Sequence, residues 1–299
     1  MSDSNFSIIK AKDILKEVPL DWFAGSSLYN HPVFLSTIAP RKCFYARITD
    51  PKGLVAFFPF TGQNLYLKWR VFQVGFCQKY NPFCLRGQPN AHHWECWFRF
   101  LAQKTLNPKW PAGFLPSNPI DNSLSAQPKN NQYFQLGGNI ESVMSHWKQN
   151  RKQALNKSKA LNTRQVNHSD FFELLLQIVN SSGQVWKPIK KEISILNSLS
   201  KSDDFSNSIY RFVVLDDQEP LSAVLVLKWA DRLYYLFSIS SRTGFKKEAL
   251  TRIFYEMISV FFGQDLVFDF EGSSIPGVRD FFSSLGGISE SYHVISIKS

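Results

Sequence analysis

Three strand-length runs follow one another between residues 209 and 241 with only turns between them, and this pattern restricts the fold more than any other. Residues 209–215 pass through Asp216-Asp217-Gln218-Glu219-Pro220 into 221–229, which pass through Ala230-Asp231 into 232–241. Connections this short leave no room for a crossover, so the three strands are predicted to be antiparallel neighbours. The chain then changes character. Residues 247–262 read as an amphipathic helix with Leu250, Ile253, Phe254, Met257, Ile258 and Phe261 inward, stopped by Gly263. A buried strand at 266–270, a helix at 276–285 and an alternating strand at 291–297 complete the series. The helix between 232–241 and 266–270 supplies the crossover that parallel neighbours require, so those two strands are predicted to run parallel.

Upstream, 133–136 is a short strand ended by Gly137-Gly138, and 141–161 reads as one helix. Val143, Met144, Trp147, Ala154 and Leu155 give that helix a partial stripe, while Lys148, Arg151, Lys152, Lys157 and Lys159 crowd the remainder. Those cations form either a solvated face or a contact for a phosphorylated partner. Ser169 is placed as the cap of a helix that buries Phe172, Leu175, Leu176 and Val179. Pro188 fits the first turn of a third helix, with Ile189, Ile193 and Leu196. Residues 116–132 are rich in Pro, Ser and Asn and are read as a linker between domains at 1–130 and 131–299.

The net charge is +10, and it is uneven. Residues 1–135 hold 15 Lys and Arg against 7 Asp and Glu, whereas 136–299 hold 19 against 17. A basic face suits nucleic acid, an anionic membrane surface or a phosphorylated ligand alike, so charge does not choose among them. The polar start Met1-Ser2-Asp3-Ser4-Asn5 carries no secretory pattern, and no apolar run reaches the ~18 residues of a membrane span. A cytoplasmic location is the expectation. Cys43, Cys77, Cys84 and Cys96 lack the Cys-x2-Cys spacing of a zinc knuckle, and the adjacent His92 and His93 diverge on a helix. Reduced, buried thiols and no metal are expected.

The order strand, helices, three antiparallel strands, long helix, strand, helix, strand resembles the GNAT acyltransferase fold over residues 132–299. The segment Trp147–Ala160, the segment 268–286 and the opening Ser27-Leu28-Tyr29-Asn30-His31-Pro32 resemble the FemAB-like proteins, which pair two such domains. Strands at 43–49 and 53–60 and a helix at 92–103 fit a diverged first copy. The resemblance implies an α/β fold of two tandem GNAT-like domains packed across a shared cleft. It also implies transfer of an acyl or aminoacyl group to an amine, with acyl-CoA as donor and no metal. Aminoacyl-tRNA and an anionic precursor are the other partners it allows, and a non-catalytic scaffold of the same fold is the alternative.

In such folds the donor lies where the fourth and fifth strands splay apart, which maps to Ser238 and Ser240. Its pyrophosphate would sit at the following turn, Arg242-Thr243-Gly244-Phe245-Lys246-Lys247, where helix N–H groups attract anions. Gly244 falls one residue early for the family loop. Many members place a Tyr acid in the final helix, or a Lys in Phe-Lys-x-x-Phe-Gly. The matching stretch here, Phe281-Phe282-Ser283-Ser284-Leu285-Gly286, puts Phe282 at that position. Asp269 and Glu271 are therefore the catalytic candidates, expected on one face of their strand by alternation, with capping or an ion pair to Arg279 as the plain alternative.

Overall fold

The computed structural model describes residues 5–76, 79–116, 121–181, 189–272 and 275–298. Pro188 and Cys77 lie outside these described residues. The chain divides into two compact units, Met1–Asn130 with Ser291–Ser299, and Asn131–Glu290.

In the first unit, β1 (Phe6–Lys10), β2 (Cys43–Thr49), β3 (Val55–Leu65) and β4 (Lys68–Val71) form an antiparallel sheet in that order, with β5 (Phe83–Cys84) also paired to β3. Helices α1 (Pro32–Ile38) and α2 (Ala91–Lys104) belong to this unit. The core is aromatic: Phe58 stacks on Trp97 at 5.4 Å, and Trp97 meets Trp110 edge-on at 5.2 Å. His93 is fully buried. Its Nδ1 accepts the backbone N–H of Asn90 while the Asn90 side chain accepts the His93 N–H, a reciprocal cap that starts α2. The ring's other nitrogen bonds the Leu54 carbonyl at 3.0 Å, so His93 is used entirely in structure. Burial pushes the Cys43 thiol up to about 12 and the Cys84 thiol up to about 11. Among the described residues no group of His, Cys, Asp and Glu could hold a metal, and no helix is long and apolar enough to cross a membrane.

Strand β6 (Trp110–Ala112) pairs with the last strand of the chain through His293↔Ala112 and Ile295↔Trp110. The next strand, β7 (Leu124–Gln135), occupies most of the stretch read as a linker. Its middle, Gln127 to Asn130, is exposed, which explains the loop-like composition. Its end is not: Asn131 and Gln132 are buried because each amide has a partner, Asp269 at 2.7 Å and Ser283 at 2.5 Å.

The second unit continues with α3 (Ile140–Ser145), α4 (Gln149–Lys157), β8 (Asn162–Gln165), α5 (His168–Ser181) and α6 (Ile189–Ser200). The single helix expected at 141–161 is thus two helices, α3 and α4. The break is pinned from outside: Lys148 N–H donates to the Ser284 carbonyl, and Gly286 lies so close that a Cβ there would stand 2.7 Å from His146 Cβ. Asn167, not Ser169, caps α5, and of the expected stripe Phe172, Leu175, Leu176 and Val179 only Leu175 is buried; Phe171 and Ile178 complete the buried face, one residue off. The neighbouring stripe is nearly as apolar, so periodicity alone could not separate them.

Strands β9 (Ile209–Asp216), β10 (Glu219–Trp229) and β11 (Arg232–Ser240) form the antiparallel meander, and β8 adds to β9. After β11 come α7 (Arg242–Lys246) and α8 (Ala249–Phe261), where one helix starting at 247 was expected. Glu248 separates them in the left-handed conformation, at φ 57°. Strand β12 (Val267–Asp269) then inserts between β11 and β7, parallel to the former and antiparallel to the latter. Helix α9 (Pro276–Ser284) and β13 (Ile288–Ile297) finish the chain. The inward residues of α8, among them Ile253, Phe254, Met257 and Phe261, pack with Val224, Val226, Leu233 and Phe268 in one buried cluster.

Candidate functional site

Two irregularities coincide on β11. The parallel ladder with β12 lasts only three residues, Arg232↔Val267, Leu233↔Phe268 and Tyr234↔Asp269. Beyond it β11 runs on to Ser240, while the segment after β12 leaves the sheet through Glu271 at φ 60° and Gly272 at φ 80°. At the same level β11 carries a bulge. Tyr235 faces Val226 and Phe237 faces Leu225, so Leu236 is one residue too many for β10. A bulge leaves an extra residue out of the ladder and re-aims the backbone around it, and bulges recur beside active sites for that reason.

The side chains at the parting are mostly apolar. Phe282 is buried, stacked on Phe270 at 4.1 Å and edge-on to Tyr235 at 5.6 Å. Tyr235 brings a phenol into this aromatic cluster. Burial pushes its pKa above the ordinary value, and a hydrogen bond with Ser238 pulls the other way without cancelling it. The phenol therefore stays protonated at neutral pH and holds its proton more tightly than a free tyrosine does. It went unnoticed in the sequence because Leu233-Tyr234-Tyr235-Leu236-Phe237 is continuously apolar, which hides both the bulge and the one useful hydroxyl.

Asp269 ends β12 and is fully buried. One carboxylate oxygen accepts from Asn131 at 2.7 Å and from the Glu271 backbone N–H at 3.0 Å; the other accepts from Arg232 at 2.8 Å. Its ion pair is thus with Arg232 rather than Arg279. Burial lowers the pKa of Arg232, but the Asp269 carboxylate, Tyr234 and Glu290 together outweigh it and leave the guanidinium's pKa raised. Asp269 and Glu271 do not share a strand face. The strand ends at Asp269, and the positive φ of Glu271 breaks the alternation on which that expectation rested.

At the far end of β11 the groups are neutral. Ser240 lies opposite Ser222, their hydroxyls 2.6 Å apart and both buried. Ser241 caps α7, its hydroxyl accepting the Gly244 N–H at 3.0 Å. Gly244 is a glycine because α7 crosses β10 at backbone contact: a Cβ would stand 2.3 Å from the Leu221 carbonyl oxygen. Around it Thr243 is half-buried, and Arg242, Phe245, Lys246 and Lys247 are exposed. Lys247 is paired with Asp216. At the start of α8, Arg151 from α4 holds the Glu248 carboxylate at 3.1 Å and reaches Thr251 at 2.8 Å. The turn therefore offers an anion the side chains of Arg242 and Lys246 more than a cradle of N–H groups, since the Gly244 N–H is already used.

No protein-family model matches this sequence, and no curated protein matches it. Solved structures do. FemX superposes with a TM-score of 0.60 at 13% identity, over 96% of this chain and 96% of its own. The C-terminal DUF2156 domain of a putative lysylphosphatidylglycerol synthetase from Agrobacterium fabrum gives 0.55 at 11% identity, covering 97% and 91%. A tandem GNAT protein from the clavulanic acid biosynthesis pathway gives 0.51 at 8% identity, covering 98% of each. The chain has an α/β fold of tandem GNAT-like type, resembling the FemAB-like proteins.

Proposed function

We propose that this protein is an N-acyltransferase or aminoacyltransferase that moves an acyl group from a thioester, acyl-CoA, to an amine. The observation that carries the reading is the coincidence of the three-residue β11–β12 ladder with the bulge at Leu236. Together they open the edge of β11 turned away from β10 beyond Tyr234, where the parallel ladder with β12 has ended. In this reading the acyl carbonyl lies along β11 near Ser238 and Ser240, where backbone N–H groups stabilise the oxyanion. The donor's phosphates meet the segment from Arg242 through Thr243, Gly244, Phe245 and Lys246 to Lys247.

The amine nitrogen attacks the carbonyl carbon, the C–S bond breaks, and two protons move. Glu271 accepts the proton lost by the amine. Tyr235 gives its phenolic proton to the leaving thiolate, the task a Tyr or Lys at the Phe282 position would perform. Asp269 is a positioning residue: through Arg232 and the Glu271 N–H it fixes where β12 ends. A free acyl-CoA pool implies a cytoplasmic location. Buried Phe282 favours the second reading, a scaffold that keeps the fold without the chemistry.

Calorimetry with CoA and acetyl-CoA tests the donor. An Arg242→Glu/Lys246→Glu variant, which leaves the Lys247–Asp216 pair intact, should bind more weakly and with a flatter salt dependence. Turnover against a panel of acyl-CoAs and amines tests the chemistry. Tyr235→Phe and Glu271→Gln should each lower kcat by about 10²–10⁴-fold with native folding retained. Asp269→Asn should instead shift KM and kcat together and lower stability. Absence of CoA binding at millimolar concentration, with transfer from aminoacyl-tRNA, would replace the donor; absence of both would leave the scaffold.

A further inference from the structure

The hairpin β3–β4 ends in a turn that contradicts ordinary turn chemistry. Leu65 pairs with Lys68, so the loop is the two residues Tyr66 and Leu67. Tyr66 adopts φ 61°, a conformation that a two-residue hairpin normally assigns to Gly or Asn. A tyrosine there is strained, and neither loop side chain gains burial in return: Tyr66 is fully exposed and Leu67 is 92% exposed. Leu65 adds further exposed apolar surface, and so does Leu106, whose N–H bonds the Trp69 carbonyl beside the same hairpin.

The charges on this hairpin have one sign, and residues 51–94 contain no Asp or Glu. Lys68 and Arg70 sit on the hairpin itself and are exposed. Lys42 and Lys109, also exposed, are tied to its base through backbone bonds to Gly62 and Val71.

We infer that the β3–β4 tip is a peripheral membrane anchor, inserting Leu65, Tyr66 and Leu67 into the interface of an anionic lipid bilayer while Lys68 and Arg70 meet the headgroups. Aliphatic side chains enter the acyl boundary, tyrosine suits the interface with its apolar ring and polar hydroxyl, and flanking cations meet anionic lipid. Nucleic acid would use the same cations, but it gives a fully exposed leucine nothing to bury against. The exposed apolar surface beside the cations therefore favours lipid.

The experiment is co-sedimentation of the whole protein with phosphatidylcholine vesicles and with phosphatidylcholine–phosphatidylglycerol vesicles. Wild type should bind the anionic vesicles, and binding should fall as salt is added. Tyr66→Gly/Leu67→Asn installs a favourable hairpin turn, so its thermal stability should be equal or higher while its partition falls by about tenfold or more. Lys68→Glu/Arg70→Glu should lower binding to anionic vesicles by about 25-fold or more, at roughly fivefold per cation lost. Failure of wild type to bind anionic vesicles, or equal binding by all three proteins, overturns the anchor. Light scattering that finds a wild-type dimer and a monomeric Tyr66→Gly/Leu67→Asn variant overturns it in favour of a second copy. Binding to homopolymer RNA but not to vesicles overturns it in favour of nucleic acid.

Discussion

The two ends of β11 solve the same problem, a polar group inside a sheet, with opposite chemistry. At the start, Arg232 and Asp269 hold full charges at 2.8 Å, with Asn131 and the Glu271 N–H completing the carboxylate's bonds. At the finish, Ser240 and Ser222 face each other as neutral hydroxyls at 2.6 Å, and Ser241 caps a short helix. Charge sits where β12 is still paired, and neutral, re-orientable groups sit where it has gone. A buried ion pair specifies one geometry and tolerates no vacancy, whereas hydroxyls can rotate toward whatever arrives. The difference separates the part of the strand that must stay closed from the part that can receive a ligand.

Removing one charge is the strongest way to break this contrast. Arg232→Met strands Asp269 in the interior, and urea unfolding should show a loss of roughly 3–5 kcal/mol. Gly244→Ala attacks the other end. Its Cβ would press on a backbone carbonyl at 2.3 Å, so α7 must lift from β10 at about 1–3 kcal/mol, with weaker donor binding if the turn holds phosphate. Between the ends, Tyr235 gives the contrast a pH signature. Its folded pKa is raised, so above the ordinary value near 10 the unfolded chain releases a proton that the folded chain keeps. Stability is therefore whole below pH 10 and falls above it by about 1.4 kcal/mol per pH unit; Tyr235→Phe should remove that share of the alkaline slope. The smallest effect belongs to the serines. Ser240→Ala should lower stability by about 1 kcal/mol, and adding Ser222→Ala should lower it by less than a second such increment, because the two share one bond.

What could be read from the sequence followed the same division. The meander and the parallel β11–β12 pairing were legible because turn length and a helical crossover dictate strand direction. The bulge was not, since one extra residue inside an apolar run changes no periodicity. Asp269 was visible as a catalytic candidate, but its partner Arg232 lies 37 positions away and its partner Asn131 lies 138 away. Nothing in local spacing announces either. Asn131 was hidden twice over, because the exposed middle of β7 made the whole stretch look like linker. The helix breaks at 146–148 and Glu248 were invisible for the same reason: contacts from Ser284 and Gly286 and from Arg151 impose them at a distance.

Residues 291–299 belong to the first unit although they follow all of the second. During synthesis, β6 leaves the ribosome long before its partner β13 exists. The nascent first unit must therefore present Trp110–Ala112 as an open strand edge while about 180 further residues are made, at roughly 5–20 residues per second. That is a window of about ten seconds or more in which another strand can take the place of β13. A chain released early, anywhere before residue 293, never closes it. The open edge of β6 is thus a point of exposure during synthesis that is separate from the stability of the finished units.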